Sequence, residues 1–296
     1  MNDKPWTGKS RGGRWGYLFF VYAIKGMGIR FAYGVLSVIV LYFIPFAPKA
    51  TAAVWDYYRK RRKMNCGKSL LALYRHYYVF GQTLIDRIAL RGGLACRYRF
   101  VFDNYDRFLE IVNGRKGVVM IGAHVGCWEA GSIFFGKHGK KINIVMLDDE
   151  HRPIKQVLEE HMVRDDHFKI IAVNQEPLAV MLQIKEALDH DECICFNGDR
   201  YIHVKETFRT QFMGAEALLP SGPFKIAAKC RVPVVFYYAM RESKRTYRLI
   251  FSEASVEPNR PVGLLRQYVE SLEQLLGRYP RQWFNFYKFW NESPQI

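Results

Sequence analysis

The sequence lacks the signatures of several common protein classes. Its six cysteines are spread through apolar contexts with no C-x-x-C pair, which excludes a dense disulfide scaffold and gives no paired-cysteine zinc site. No internal repeat and no Gly/Ser-rich linker is visible, and Gly67-Lys68-Ser69 has no upstream glycine of a phosphate-binding loop. We therefore expect reduced thiols in a reducing compartment, no metal site and no nucleotide site.

Acidic residues are scarce near the N-terminus. Residues 1–68 contain 13 Lys and Arg but only two acids, Asp3 and Asp56, and so carry +11 of the formal net charge of +16. A positive surface attracts anions, which include nucleic acid, anionic lipid and acidic proteins. Charge alone does not choose among these partners.

The same segment holds a long apolar stretch from Trp15 to Ala47, interrupted only by Lys25 and Arg30. No small-residue cleavage site follows a short apolar run, so a cleaved signal peptide is not indicated. Its longest uncharged piece, 31–47, would be about 25 Å long as a helix, the short limit for crossing a membrane. An interfacial helix or hairpin, a spanning helix and a buried core helix remain alternatives. The combination of apolar and basic residues favours lipid over nucleic acid, and we expect 1–68 to be a membrane anchor.

The rest of the chain, 69–296, alternates short apolar runs with helical patterns. This spacing is typical of an α/β domain with a mostly parallel sheet flanked by helices. The predicted strands are 117–122, 142–147, 169–173, 192–197 and 232–240, with 245–251 as a candidate for another. The predicted helices are 70–90, one closing at 108–112, 154–163, 178–188, 223–228 and 264–276.

Two titratable residues follow the strongest predicted strand. Active sites in such sheets lie at the carboxyl ends of strands, where His124 and Glu129 form an H-x-x-x-x-E pattern. If His124 lies in the turn and Glu129 in the first helical turn, the carboxylate can fix the imidazole tautomer and leave the other nitrogen as a base. The alternative is structural: a histidine satisfied at a strand end and a carboxylate favoured by the helix dipole.

Four features along nearly the whole chain decide between these alternatives. They are the basic, aromatic N-terminus; the strand 118–122 with the H-x-x-x-x-E pattern; the segments 196–201, 211–215 and 219–223 before the strand from Val232; and the closing run 279–284, Tyr-Pro-Arg-Gln-Trp-Phe. In this order they resemble the bacterial lipid A late acyltransferases, a branch of the lysophospholipid acyltransferase superfamily.

The resemblance implies roles for individual residues. His124 would be the general base and Glu129 the carboxylate that orients it. Asp199 matches a family aspartate near this pair, and with Arg200 it is predicted to bind substrate, Arg200 by holding a phosphate or thioester oxygen. A surface salt bridge or a turn is the alternative for Asp199.

The implied function is transfer of a fatty acyl chain from an acyl thioester, expected to be acyl carrier protein, to a hydroxyl of a lipid A-like acceptor. The expected partners are acyl carrier protein, anionic membrane lipid and the lipid acceptor, without nucleic acid; no cofactor beyond the thioester co-substrate and no metal are expected. The expected location is the cytoplasmic face of the bacterial inner membrane. The alternatives are acylation of another lipid or an amine, or a non-catalytic protein that binds membrane or nucleic acid.

Overall fold

The structure is a computed structural model that describes residues 14–94, 97–114, 116–128, 130–131, 140–146 and 168–290. The predicted helix 154–163 lies outside these residues. Three helices come first: α1 (Arg14–Phe46), α2 (Pro48–Asp56) with a π-helical turn (Tyr57–Arg61), and α3 (Cys66–Ala89), which continues into a π-helical turn (Leu90–Leu94). The Asn65 side chain caps α3 by accepting a hydrogen bond from the Lys68 amide at 2.9 Å.

The first and third helices pack against each other in opposite directions. The Tyr74 hydroxyl donates to the Ser37 carbonyl at 3.2 Å, and Tyr78 donates to the Tyr33 carbonyl at 3.4 Å. At Gly81 the helices are so close that a Cβ would lie 2.4 Å from a methyl carbon of Leu36. The buried side of α1 therefore belongs to the same apolar core as α3 and the sheet.

A seven-stranded sheet forms the centre of the molecule. Its strands are β1 (Arg99–Phe102), β2 (Val118–Gly122), β3 (Ile142–Met146), β4 (Phe168–Ala172), β5 (Cys193–Asn197), β8 (Val234–Arg241) and β9 (Thr246–Glu253). Their order is β1-β9-β8-β2-β5-β3-β4, and every pair is parallel except β8 with β9. The predicted α/β class with a mostly parallel sheet is confirmed.

Helices cover both faces of this sheet. They are α4 (Tyr105–Asn113), α5 (Pro177–Asp189), α6 (Gly222–Lys229) and α7 (Pro261–Arg278). Alternate side chains of β2 point to opposite faces: Val119 and Ile121 join the core with α1, α3 and α7, whereas Val118 and Met120 pack with Phe108 of α4.

Two parts of the fold differ from the sequence-based expectation. The short strand β1 begins with the exposed Arg99 and has only four residues, which leaves little apolar pattern to detect. A separate hairpin, β6 (Thr207–Phe212) and β7 (Ala215–Pro220), turns through Met213 and Gly214, both with positive φ. Such turns usually contain Asn-Gly or Asp-Gly. Because Met213 stands where Asn or Asp is usual, the sequence gave no recognisable hairpin motif.

The division into 1–68 and 69–296 stays a prediction. The structure starts α3 at Cys66, so the boundary lies within the first turn of that helix.

Candidate active site

His124 and Asp199 meet because two neighbouring parallel strands end side by side. Strand β2 ends at Gly122 and β5 at Asn197, and these two residues are paired in the sheet register. Each chain then continues two residues past the carboxyl edge of the sheet. A glycine follows Asn197, and its amide donates to the Gly122 carbonyl at 2.8 Å, which keeps the two connections together.

The Asp199 carboxylate contacts His124 through both of its oxygens. The His124 Nδ1 lies 2.7 Å from one carboxylate oxygen, and the His124 backbone amide donates to the other at 3.0 Å. The indole N–H of Trp283 donates to that second oxygen at 3.1 Å. The Asp199 side chain is 1% exposed and the His124 side chain 26% exposed, so the carboxylate is enclosed while the ring reaches the surface.

Burial and the neighbouring charges determine which atom of the His124–Asp199 pair carries the proton. Burial on its own would raise the pKa of Asp199, but the His124 ring, its hydrogen bonds and the Arg200 charge outweigh burial and lower the pKa to about 2. Burial and Arg200 lower the pKa of His124, against an opposing effect of Asp199. At neutral pH, Asp199 is therefore ionised and accepts the Nδ1 proton of a neutral ring, which leaves Nε2 with a free lone pair. Among the described residues none hydrogen-bonds to Nε2.

The C-terminal segment holds the loop that carries His124. The Phe284 amide donates to the His124 carbonyl at 2.8 Å, and the Gly126 amide donates to the Gln282 carbonyl at 3.0 Å. Gly126 has φ of +56°, and a Cβ there would lie 2.0 Å from the Ala239 carbonyl oxygen. Only glycine satisfies both the backbone angle and this close approach.

Gln282 also ties this segment to the end of β8. Its side-chain oxygen accepts from the Arg241 amide at 2.9 Å, and its side-chain nitrogen donates to the Arg241 carbonyl at 2.8 Å. The closing run 279–284 therefore supplies three contacts to the site, through Gln282, Trp283 and Phe284. The sequence indicated this run as a family motif but gave no role for these residues.

Arg200 lies next to the pair. Its guanidinium donates to the Phe284 carbonyl at 2.8 Å and lies 5.8 Å from the centroid of the Tyr287 ring. These contacts fix the cation within electrostatic reach of His124, whose pKa it lowers. The structure thus brings together three of the four predicted site residues, His124, Asp199 and Arg200. The fourth, Glu129, lies outside the described residues, so its predicted contact with His124 stays a prediction.

A second buried polar cluster was not predicted from the sequence. Asp86, fully buried on α3, accepts hydrogen bonds from the hydroxyls of Tyr33, Tyr98 and Tyr247. The Arg241 side chain, 9% exposed, donates to Asp86 at 2.9 Å. Asp86 lies in a mostly apolar part of its helix, and an aspartate is rarely fully buried without a partner. This was the feature of the sequence from which a buried polar cluster could have been expected.

The described residues contain no group of three or more His, Cys, Asp or Glu side chains that would hold a metal ion. Burial raises the pKa of the Cys193 thiol to about 12, so this thiol stays protonated and is a poor ligand. The expectation that the chain needs no metal stays a prediction.

Comparisons with known proteins identify the family. The sequence model described as bacterial lipid A biosynthesis acyltransferase matches residues 77–292. Among solved structures, the chain is similar to the 1-acyl-sn-glycerophosphate (LPA) acyltransferase PlsC from Thermotoga maritima. The two are 13% identical with a TM-score of 0.36, over 84% of this chain and 97% of that one. No curated relative matches. The family match confirms the resemblance that the sequence motifs indicate.

Proposed function

The chain belongs to the bacterial lipid A biosynthesis acyltransferase family and is an acyltransferase, and from this premise we propose a specific reaction. In this reaction the protein moves a fatty acyl chain from an acyl thioester, with acyl carrier protein as the donor, to a hydroxyl of a lipid A-like acceptor. The observation that carries the proposal is the His124–Asp199 pair, with Nδ1 held by the carboxylate at 2.7 Å and the ring partly exposed.

The proposed chemistry is direct transfer with His124 as general base. Nε2 takes the proton of the acceptor hydroxyl while the hydroxyl oxygen attacks the thioester carbonyl. The tetrahedral intermediate collapses, the carbon–sulfur bond breaks, and the thiolate takes the proton from the imidazolium. The products are an ester and a free thiol, and the activated thioester makes any further cofactor unnecessary.

Asp199 orients His124 in this proposal. Both of its oxygens are already engaged by His124 and Trp283, and its side chain is enclosed. These contacts favour a positioning role, in which the carboxylate fixes the tautomer and stabilises the imidazolium. The substrate contact predicted for Asp199 and the orienting role predicted for Glu129 both stay predictions.

Arg200 is proposed to bind the substrate. Its guanidinium is held by the Phe284 carbonyl and the Tyr287 ring, so the charge is fixed before substrate arrives. A fixed cation beside the base can stabilise the oxyanion that forms on the thioester carbonyl, or bind a phosphate of the acceptor.

The proposed location is the cytoplasmic face of the bacterial inner membrane. Among the described helices, α1 is long and apolar enough over Leu18–Phe46 to cross a membrane by length and composition. An acyltransferase that acts on a lipid needs access to the bilayer, and a basic, apolar N-terminus would supply it.

The reaction is tested by assaying the purified full chain in detergent micelles with a lipid A precursor that has a free hydroxyl. We expect the product mass to increase by one acyl group when the donor is acyl carrier protein loaded with a fatty acid. Matched reactions use coenzyme A carrying the same fatty acid as donor, or lysophosphatidic acid as acceptor. Equal or faster transfer to lysophosphatidic acid would contradict the proposal of a lipid A-like acceptor. Equal transfer from the coenzyme A thioester would contradict the proposal that acyl carrier protein is the donor.

The pH dependence of kcat/KM tests the proton assignment. His124 acts as a base only when neutral, and its pKa is lowered from the ordinary value of 6.5. The acidic limb of the profile is therefore expected below pH 6.5, with a constant rate from there to neutral pH. An acidic limb with its midpoint above pH 7 contradicts the assignment of His124.

The same pair affects folding stability. Asp199, with its pKa lowered from 3.8 to about 2, stabilises the folded state above pH 4, and this stabilisation is lost as the pH falls towards 2.

A further inference from the structure

Helix α1 is not one straight apolar rod. Gly28 has φ of 80° and ψ of 167°, which breaks the helix into segments 14–27 and 29–46. At about 1.5 Å per residue the second segment is about 27 Å long, at the short limit for a span. The candidate span Leu18–Phe46 therefore contains a break within its length.

The middle of α1 is attached to charged groups of the catalytic domain. The Tyr33 hydroxyl donates to Asp86, and the Arg241 guanidinium donates to the Tyr33 oxygen at 3.3 Å. Arg241 is the last residue of β8. If α1 crossed a bilayer, residue 33 would lie near its centre and would bring a strand end and an ion pair into the hydrocarbon. Lipid-exposed irregular backbone does not occur there, and ionised side chains are costly there.

The opposite face of the second α1 segment is apolar and exposed. Because α3 runs antiparallel to α1, the exposed leucines in the first turns of α3 lie beside the C-terminal end of α1. We call these side chains the apolar stripe: Val38, Leu41, Tyr42, Phe46, Leu70 and Leu71.

Positive charge borders this stripe at the same end. The basic run Arg59–Lys63 ends three residues before the first residue of α3, and Lys49 follows the end of α1 and is exposed. In the run, Lys60 pairs at 3.7 Å with Asp56, the one acid between residues 4 and 85. An apolar stripe with a basic border is complementary to an anionic bilayer, whose phosphates lie beside its acyl chains.

The basic run is also close to the catalytic pair. The Arg61 guanidinium lies 4.7 Å from the centroid of the Trp290 ring, and the Trp290 and Trp283 ring centroids are 5.7 Å apart. Trp283 in turn donates to Asp199. A membrane docked at this end therefore has its headgroups near the site, where a lipid acceptor can reach His124 without leaving its leaflet.

We propose that the chain docks on one leaflet of an anionic membrane through the apolar stripe and the basic run, and that α1 does not cross the bilayer. The proposal rests on the proposed function for its account of the lipid acceptor, but the docking surface itself is defined by exposure and charge alone.

Vesicle flotation of the full chain tests the surface. Binding to vesicles of phosphatidylglycerol and phosphatidylcholine is expected, with much weaker binding to phosphatidylcholine alone. Leu41 and Leu70, 59% and 58% exposed, are both changed to serine, and we expect binding to fall at least about tenfold. The matched control changes Leu178 and Leu182 of α5, 64% and 59% exposed, to serine. This control is expected to bind as wild type does.

The charge contribution is tested with Lys60→Gln combined with Lys63→Gln. Each lysine near an anionic surface contributes about fivefold, so about 25-fold weaker binding is expected at low salt. The control pair, Lys185→Gln with Lys229→Gln, removes the same charge from α5 and α6. Equal losses in both pairs would show attraction by net charge only and would overturn the docking surface.

Thiol labelling tests whether α1 crosses. Cys66, just after the basic run, is exposed, and Gly16→Cys combined with Cys66→Ser moves the exposed thiol to the start of α1. In both proteins Cys96, which lies outside the described residues, and the partly exposed Cys195 and Cys230 are changed to alanine. A membrane-impermeant maleimide is applied to inverted vesicles and to spheroplasts. Both thiols are expected to react from the same side. Labelling from opposite sides overturns the single-leaflet proposal.

These outcomes are separable from those of the proposed function. Acyl transfer in detergent micelles needs no bilayer, so a chain that transfers acyl groups yet shows no selective binding through the stripe overturns only the docking proposal. A chain that binds vesicles as described but transfers no acyl group overturns only the proposed function.

Discussion

Replacing His124 with alanine is expected to lower kcat/KM for acyl transfer by about 10²- to 10⁴-fold, the range that general base catalysis contributes. The variant removes Nε2, the ring nitrogen that is proposed to take the proton, while Asp199 keeps its hydrogen bonds from Trp283 and from the backbone amide of residue 124. Transfer is measured by product mass, and folding by the thermal unfolding midpoint of the same preparation.

The matched control is His190→Ala. His190 lies exposed just after the end of α5, where its ring contacts the Glu186 carbonyl. It precedes the start of β5, whereas the site lies past the other end of that strand. It is expected to leave transfer unchanged. If His124→Ala kept more than a tenth of the wild-type rate with a normal unfolding midpoint, His124 would not be the base.

Two carboxylate variants then show which acid orients the ring. Asp199→Asn is expected to reduce kcat/KM and to move the acidic limb of the pH profile to lower pH, because Asp199 raises the pKa of His124. Glu129→Gln is the comparison variant at the position that the sequence predicted. A shifted limb in Glu129→Gln with none in Asp199→Asn would assign the orienting role to Glu129.

The location of the site was predictable from the sequence. The apolar runs that became β2 and β5 are strong strand patterns, and the carboxyl ends of parallel strands meet at one edge of a sheet. His124 and Asp199, each two residues past such a strand, were therefore expected at one edge. The direct contact depends on the pairing of Gly122 with Asn197, a register that connects residues 75 positions apart and leaves no local signal.

The contacts made by the closing run could not be predicted for a related reason. Gln282 and Trp283 lie in a segment without helix or strand periodicity, so a pattern gives neither its path nor its neighbours. Their roles arise only after β8 and the His124 loop are in place, because each hydrogen bond joins atoms from different parts of the chain.

The buried Asp86 cluster leads to the largest expected effect on stability. Changing Asp86 to alanine should lower the free energy of unfolding by about 3–5 kcal/mol, because it leaves the Arg241 charge buried without its partner. The Tyr98 and Tyr247 hydroxyls lose their acceptor as well. The measurement is urea-induced unfolding in detergent, followed by tryptophan fluorescence.

Asp189→Ala provides the control for the loss of one acid. Asp189 is exposed and pairs with Lys185 four residues earlier at 3.7 Å, so its removal should cost about 0.3–0.5 kcal/mol. A second variant combines Asp86→Ala with Arg241→Met. Removing both charges leaves no unpaired ion, so the double variant should be more stable than Asp86→Ala alone. A loss under about 1 kcal/mol in Asp86→Ala would contradict the buried ion pair.

The same variants separate stability from catalysis. The Arg241 side chain binds Asp86, while its backbone holds Gln282, whose carbonyl accepts the Gly126 amide of the His124 loop. The double variant keeps that backbone, so its rate per folded molecule should approach that of wild type at low temperature. A low rate in a fully folded double variant would show instead that the Arg241 side chain is needed to position the loop, since the backbone contacts alone would then be insufficient.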